Sequence, residues 1–209
     1  MTLTRPPGGV IRSVALAKVG GIVLAGATKL ALADDVHRHE AKVFHHVNSL
    51  PRSVEVPVTV VMQSGNYLAT WAVAGALWRF DERTRAVAVA GAGTAAWLGA
   101  KAIKAKVGRG RPAAELPSHG RRVRILGREQ SGLGYPSGHA AVSVALGVAA
   151  APALPARLAP LAVVVPATTV AARLYVGAHL PLDVVGGAAL GLLAGSLADL
   201  GARFAARGR

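Results

Sequence analysis

The 209-residue chain contains no cysteine. Disulfides, thiolate zinc sites and cysteine nucleophiles are therefore excluded, and the redox compartment stays undetermined. Aromatic residues are scarce at 4%, so the apolar 52% consists mainly of Ala, Val, Leu and Gly. Small residues of that kind let helices pack closely in a bilayer. The charged fraction, 16%, is well below the usual quarter. Acidic residues are few, 10 against 24 Lys and Arg, for a net charge of +14. Such a balance suggests either nucleic acid or an anionic membrane as partner. Here the basic residues fall between near-uncharged stretches of bilayer length, which excludes a nucleic-acid-binding class and favours membrane lipids and phosphorylated substrates.

Five apolar runs read as spanning helices: 54–77 (closed by Trp78 and Arg79), 86–103, 139–154, 158–176 and 180–200, the last followed by the basic residues Arg203, Arg207 and Arg209. A first apolar run, 10–33, carries Lys18 and Lys29 on one helical face. It reads as an uncleaved first helix, with an interfacial amphipathic helix or a signal peptide ending at Ala31-Leu32-Ala33 as alternatives. Nothing alternates with period two, and only helices or closed barrels satisfy their own backbone in lipid. The predicted fold is an all-α, polytopic integral-membrane bundle of about six transmembrane helices. The predicted organisation is a single membrane-embedded domain over 1–209, with a helix and connecting loop over 1–53 and a catalytic helical core over 54–203.

Three polar blocks stand at the ends of these runs. Lys104, Arg111 and Pro112 follow the second well-defined span; Pro136, Ser137, Gly138 and His139 open the next; Arg173, His179 and Asp183 bridge the last two. In a bundle whose helices alternate in direction, all three fall on one side of the membrane. Lys104, Arg111 and Arg173 suit phosphate oxygens, the arginines bidentately. Ser137 and Gly138 sit at a helix start, where free N–H groups favour an anion. Pro181 places His179 at a helix N-terminus. Asp183, one turn on, is in reach of the His179 ring to fix its tautomer, which leaves His139 as a general acid.

These blocks resemble the three signatures of the PAP2 (type 2 phosphatidic acid phosphatase) superfamily, KxxxxxxRP, PSGH and SRxxxxxHxxxD, over residues 104–183. The sole departure is Ala172, which stands where the third signature has serine and removes one hydrogen bond to phosphate. The resemblance implies a membrane lipid phosphatase acting on a phosphomonoester or diphosphate, polyprenyl-linked or phosphatidate-like. It implies that His179 attacks phosphorus to give a phosphohistidine and that Asp183 orients it. His139 protonates the leaving group and then activates water, while Lys104, Arg111, Pro112, Ser137, Gly138 and Arg173 form the phosphate site. No metal and no cofactor is implied, and the sequence has no acidic cluster suited to magnesium. The resemblance also implies a multi-pass protein of the cell membrane with its site on the outer face, although the Arg-rich segment 104–135 alone would place that side in the cytoplasm. Association into a homo-oligomer is compatible with this reading. Two rival classes remain: a non-catalytic lipid-binding or transport protein on the same scaffold, and a vanadium-haloperoxidase-like enzyme, which shares such a site but is soluble.

Other features read as structural. Gly187, Gly191 and Gly195 let a neighbouring helix approach. His37, His39, His45 and His46 look like a solvated loop rather than a metal site. Gln63, Ser64 and Asn66, in the middle of the 54–77 run, either line a path for lipid or bond neighbouring helices.

Overall fold

The computed structural model describes residues 8–33, 36–116, 122–127 and 132–208. These form nine helices and a few 3-10 turns, with no strand among the described residues. The helices are α1 (Gly8–Leu32), α2 (Arg38–Asn48), α3 (Glu55–Met62), α4 (Tyr67–Arg79), α5 (Arg83–Val107), α6 (Pro112–Glu115), α7 (Gly138–Ala150), α8 (Leu161–Tyr175) and α9 (Pro181–Arg207). Among the described residues four helical segments are long and apolar enough to cross a membrane, and the α7 segment is a shorter apolar one.

The packing is that of a bundle in lipid. Its centre is built largely from alanine: Ala92, Ala96 and Ala100 of α5 meet Ala141, Ala145 and Ala149 of α7. The large apolar side chains point outward instead, with Ile11, Ile22, Val56, Leu68, Val87 and Val163 each more than 60% exposed. Apolar surface on that scale would drive aggregation in water, and on helices of bilayer length it faces lipid. Close approach of α9 to α7 explains the glycine stripe. A Cβ at Gly187, Gly191 or Gly195 would overlap the backbone oxygens of Ser137, Ala141 and Ala145 respectively.

Several boundaries differ from the sequence expectation. The run 54–77 is not one span but two helices, α3 and α4, broken by a 3-10 turn at Gln63–Gly65. Asn66 then caps α4, its side chain accepting from the Leu68 N–H. Gly65 sits against the His139 backbone, where any Cβ would clash. Ser64 bonds the hydroxyls of Ser143 (3.2 Å) and Thr169 (2.9 Å), so for this residue the interhelical reading holds. The histidine-rich segment is not a solvated loop; it is α2, with Ala41, Phe44 and Asn48 buried along one face. On α1 the face turned inward is Ser13, Gly20, Ala27 and Ala31, while Lys18 and Lys29 lie on the exposed side. Finally, α9 runs on to Arg207, so Arg203 belongs to the helix, where it pairs with Asp199 one turn back at 2.6 Å.

Candidate active site

The helix directions gather the three blocks at one end of the bundle. Both α5 and α8 end there, with Lys104 and Arg173 in their last turns; α7 and α9 begin there. Gly108 terminates α5 in the left-handed conformation (φ 76°), a backbone that favours glycine. The chain then turns so that Arg111 leads into α6, whose first residue is the buried Pro112.

Lys104 donates from Nζ to the carbonyls of Gly134 (2.8 Å) and Leu133 (3.1 Å). Arg111 donates from Nη1 to the Ala178 carbonyl at 2.8 Å. Arg173 is 2% exposed, and its Nη1 lies 3.4 Å from the Met62 sulfur. A cavity of about 190 Å3 opens between Arg111 and Arg173, roofed by Ile125 and Leu126. At the same end of the bundle, Ser137 caps α7 by accepting from the Ala140 N–H, and its own N–H donates to the Asp183 carbonyl at 2.8 Å. The first residues of α7, Gly138 and His139, thus stand at a helix N-terminus with its unpaired donors.

His179 lies in the turn between α8 and α9 and is 2% exposed. Burial pushes its imidazole well below the usual range, and the charges of Arg173, Lys104 and Arg111 push the same way, with His139 adding to them. The ring is therefore neutral at physiological pH, with a lone pair free on one nitrogen. Its Nδ1 lies 3.4 Å from Asp183 Oδ2. This is longer than the ~2.7–2.9 Å of a charge-assisted hydrogen bond, and such bonds often tighten only when substrate binds.

Two residues that support this site, Arg109 and Glu40, are not singled out by the sequence. Asp183 is fully buried; its Oδ2 accepts from the Leu180 N–H at 2.9 Å, and its Oδ1 from Arg109 Nη1 at 3.0 Å. Arg109, itself 2% exposed, forks onto the Glu40 carboxylate at 3.1 and 2.7 Å. Glu40, from α2, also accepts from the Leu182 N–H at 2.8 Å. A chain of charge thus runs from Glu40 through Arg109 to Asp183, whose Oδ2 faces the neutral His179 ring at 3.4 Å. Arg109 is one of six arginines in a basic segment, and no local spacing distinguishes it. Glu40 lies on an amphipathic helix whose apolar face (Ala41, Phe44) is a usable signal.

Segment 122–127 is tied down over the same end. Asn48 donates to the Arg124 and Tyr175 carbonyls at 2.8 and 2.9 Å and accepts from the Arg124 N–H at 2.9 Å. The Arg124 guanidinium stacks over the Tyr175 ring at 4.6 Å. Arg121 and Arg128 lie outside the described residues. Ala172, in the place of the signature serine, is fully buried against its neighbours.

The family model of the PAP2 superfamily matches residues 83–199, more than half of the chain. The chain belongs to the PAP2 superfamily. A PAP2 protein of this kind is a phosphoric ester hydrolase, and the apolar bundle makes it a membrane protein. Among solved structures, LpxE of Aquifex aeolicus is similar in fold, with a TM-score of 0.68, 19% identity, and coverage of 76% of this chain and 93% of that one. A transmembrane PAP2-type phosphatidylglycerolphosphate phosphatase from Bacillus subtilis aligns over 94% of this chain and 97% of its own, with 20% identity and a TM-score of 0.47. No curated protein matches the sequence. The PAP2 match begins at Arg83 and so leaves out α2 and Glu40.

Proposed function

We propose that this PAP2 protein is a lipid phosphatase that removes phosphate from a membrane lipid through a phosphohistidine on His179, as one catalytic unit over the whole chain. The observation that carries the reading is that the ends of α5, α7 and α8 and the turn before α9 bring Lys104, His139, Arg173 and His179 to one end of a lipid-facing bundle, where Arg111 bonds the Ala178 carbonyl next to His179. A lipid phosphate held by its tail in the bilayer presents its head at that depth.

The chemistry follows from the geometry. With Nδ1 turned to Asp183, the free Nε2 of His179 attacks phosphorus. The phosphorus–oxygen bond to the lipid breaks, and His139, protonated once the phosphate's negative charge binds beside it, gives that proton to the departing oxygen. The same His139 then takes a proton from water, whose oxygen attacks the phosphohistidine and releases inorganic phosphate and free His179. Lys104, Arg111, Arg173 and the N–H groups at the start of α7 hold the phosphoryl oxygens as their charge grows. Asp183, oriented by Arg109, stabilises the positive ring of the intermediate.

Polyprenyl phosphate or diphosphate ranks ahead of phosphatidate as substrate, because short loops leave little room for an elaborate headgroup. We place the site on the outer face of the cell membrane, because phosphate binding gives the basic residues of segment 104–135 a role other than marking a cytoplasmic side. The test is phosphate release by the detergent-purified protein from a panel of polyprenyl phosphate, polyprenyl diphosphate, phosphatidate and phosphatidylglycerol phosphate. Release from at least one of them, absent in His179→Ala, is expected; no release from any, or release that survives the substitution, rejects the reading. Since the chain has no cysteine, single introduced cysteines at Leu133 and Arg207 test orientation by reaction with an impermeant thiol reagent on whole cells.

A further inference from the structure

The end of the bundle remote from the catalytic groups holds a second charged cluster with no part in the chemistry above. Asp199 lies four and a half turns beyond Asp183 on α9, about 24 Å along the axis at ~1.5 Å per residue, most of a ~30 Å hydrocarbon core. It is 3% exposed, and its carboxylate is held by Arg85 of α5, by the Ser13 hydroxyl of α1 and by Arg203 Nε. Arg85 is equally buried, so this pair is an internal staple at the membrane boundary. Arg203 has more to offer. Its guanidinium lies against the α1 backbone at Gly9, where any Cβ would overlap it, and its two Nη groups make no hydrogen bond among the described residues. Arg12, exposed on α1, forms no ion pair among them.

A groove of about 400 Å3 opens beside these two arginines, between α1, α7, α8 and α9. Leu16, Val148, Ala162, Val163 and Leu192 make its walls apolar, and Arg12 and Arg203 stand at its rim. The cluster of Arg12, Arg85 and Arg203 against Asp199 leaves an excess of two positive charges where lipid headgroups sit. We propose that this groove binds one anionic phospholipid from the leaflet opposite the catalytic site, its acyl chain along the apolar walls and its phosphate against Arg12 and Arg203. Apolar walls within the bilayer fit a hydrocarbon chain, and the rim selects headgroup charge. A zwitterionic lipid would bring an ammonium to the same cations and gain less. Because α1 is otherwise exposed on most of its surface, a lipid wedged here would also fasten α1 to the bundle.

The test is native mass spectrometry of the full chain released from bilayer discs of mixed phosphatidylglycerol and phosphatidylcholine. Wild type should retain one phosphatidylglycerol in preference to phosphatidylcholine. Arg12→Gln, at an exposed position with no ion pair among the described residues, should retain about tenfold less, in line with one charged hydrogen bond. Ala159→Trp, also exposed and lining the groove, should exclude the chain by bulk. Arg111→Gln, at the catalytic end, should retain the lipid as wild type does. Equal retention of both lipids, or loss with Arg111→Gln but not with Arg12→Gln, overturns the proposal.

Discussion

Replacing Glu40 by Gln tests the part of the site that lies outside the PAP2 match. Glu40 gives Arg109 two carboxylate contacts and gives the Leu182 N–H a third. Glutamine keeps the shape and one acceptor oxygen but loses the charge, leaving a buried guanidinium with Asp183 as its sole carboxylate partner. Breaking a buried pair by removing one member costs about 3–5 kcal/mol, and the retained acceptor puts this case at the lower end. For a chain of this size each kcal/mol shifts the melting temperature by ~2–4 °C, so a drop of roughly 6–12 °C is expected by thermal unfolding in detergent. The effect on turnover has a separate origin. Released from Glu40, Arg109 draws closer to Asp183 and weakens that carboxylate's hold on His179. Loss of one hydrogen bond to a charged group, about 1.5–3 kcal/mol, corresponds to a ~10–100-fold fall in kcat. KM should change little, because Glu40 touches no phosphate-binding group. The shorter carboxylate of Glu40→Asp keeps the charge and should restore stability before it restores rate. A Glu40→Gln protein within twofold of wild-type kcat and within a degree or two in melting temperature would refute the network.

His139→Ala should separate the two histidines by leaving group: activity falls ~10²–10⁴-fold on a lipid monophosphate, whose alkoxide needs a proton, and far less on p-nitrophenyl phosphate. Equal losses on both substrates would deny His139 the role of acid, as judged by initial rates. Activity should survive excess EDTA, since Lys104, Arg111 and Arg173 supply the positive charge around the phosphate; a loss that magnesium or zinc restores would contradict this. Vanadate should inhibit at concentrations below the substrate KM, as a mimic of five-coordinate phosphorus.

Much of this site is written locally. Lys104, Arg111, Ser137, His139, Arg173, His179 and Asp183 stand at fixed spacings beside apolar runs, and helix direction alone brings them to one end. What escapes a reading of the sequence depends on pairing across long separations. Arg109 looks like any other arginine in a basic segment until Glu40, 69 residues earlier, is folded against it. The break at Gln63–Gly65 is hidden because the flanking residues are apolar enough for one continuous span; hydroxyl bonds to Ser143 and Thr169, contributed by two other helices, decide it. The inward face of α1 is hidden for a similar reason. Its lysines are the conspicuous residues, but the small residues Gly20, Ala27 and Ala31 are the ones that turn toward the bundle, Gly20 directly against α9.

The central claim is that His179 carries the phosphoryl group, and it can be measured directly. His139→Ala should accept phosphate from a labelled aryl phosphate but hydrolyse the intermediate slowly, since the residue that activates water is missing. After a rapid quench at alkaline pH, where phosphohistidine survives, peptide mass spectrometry should find the phosphate on His179. The double variant His139→Ala/His179→Ala should carry none. Label on another residue, or label that persists in the double variant, would contradict the account.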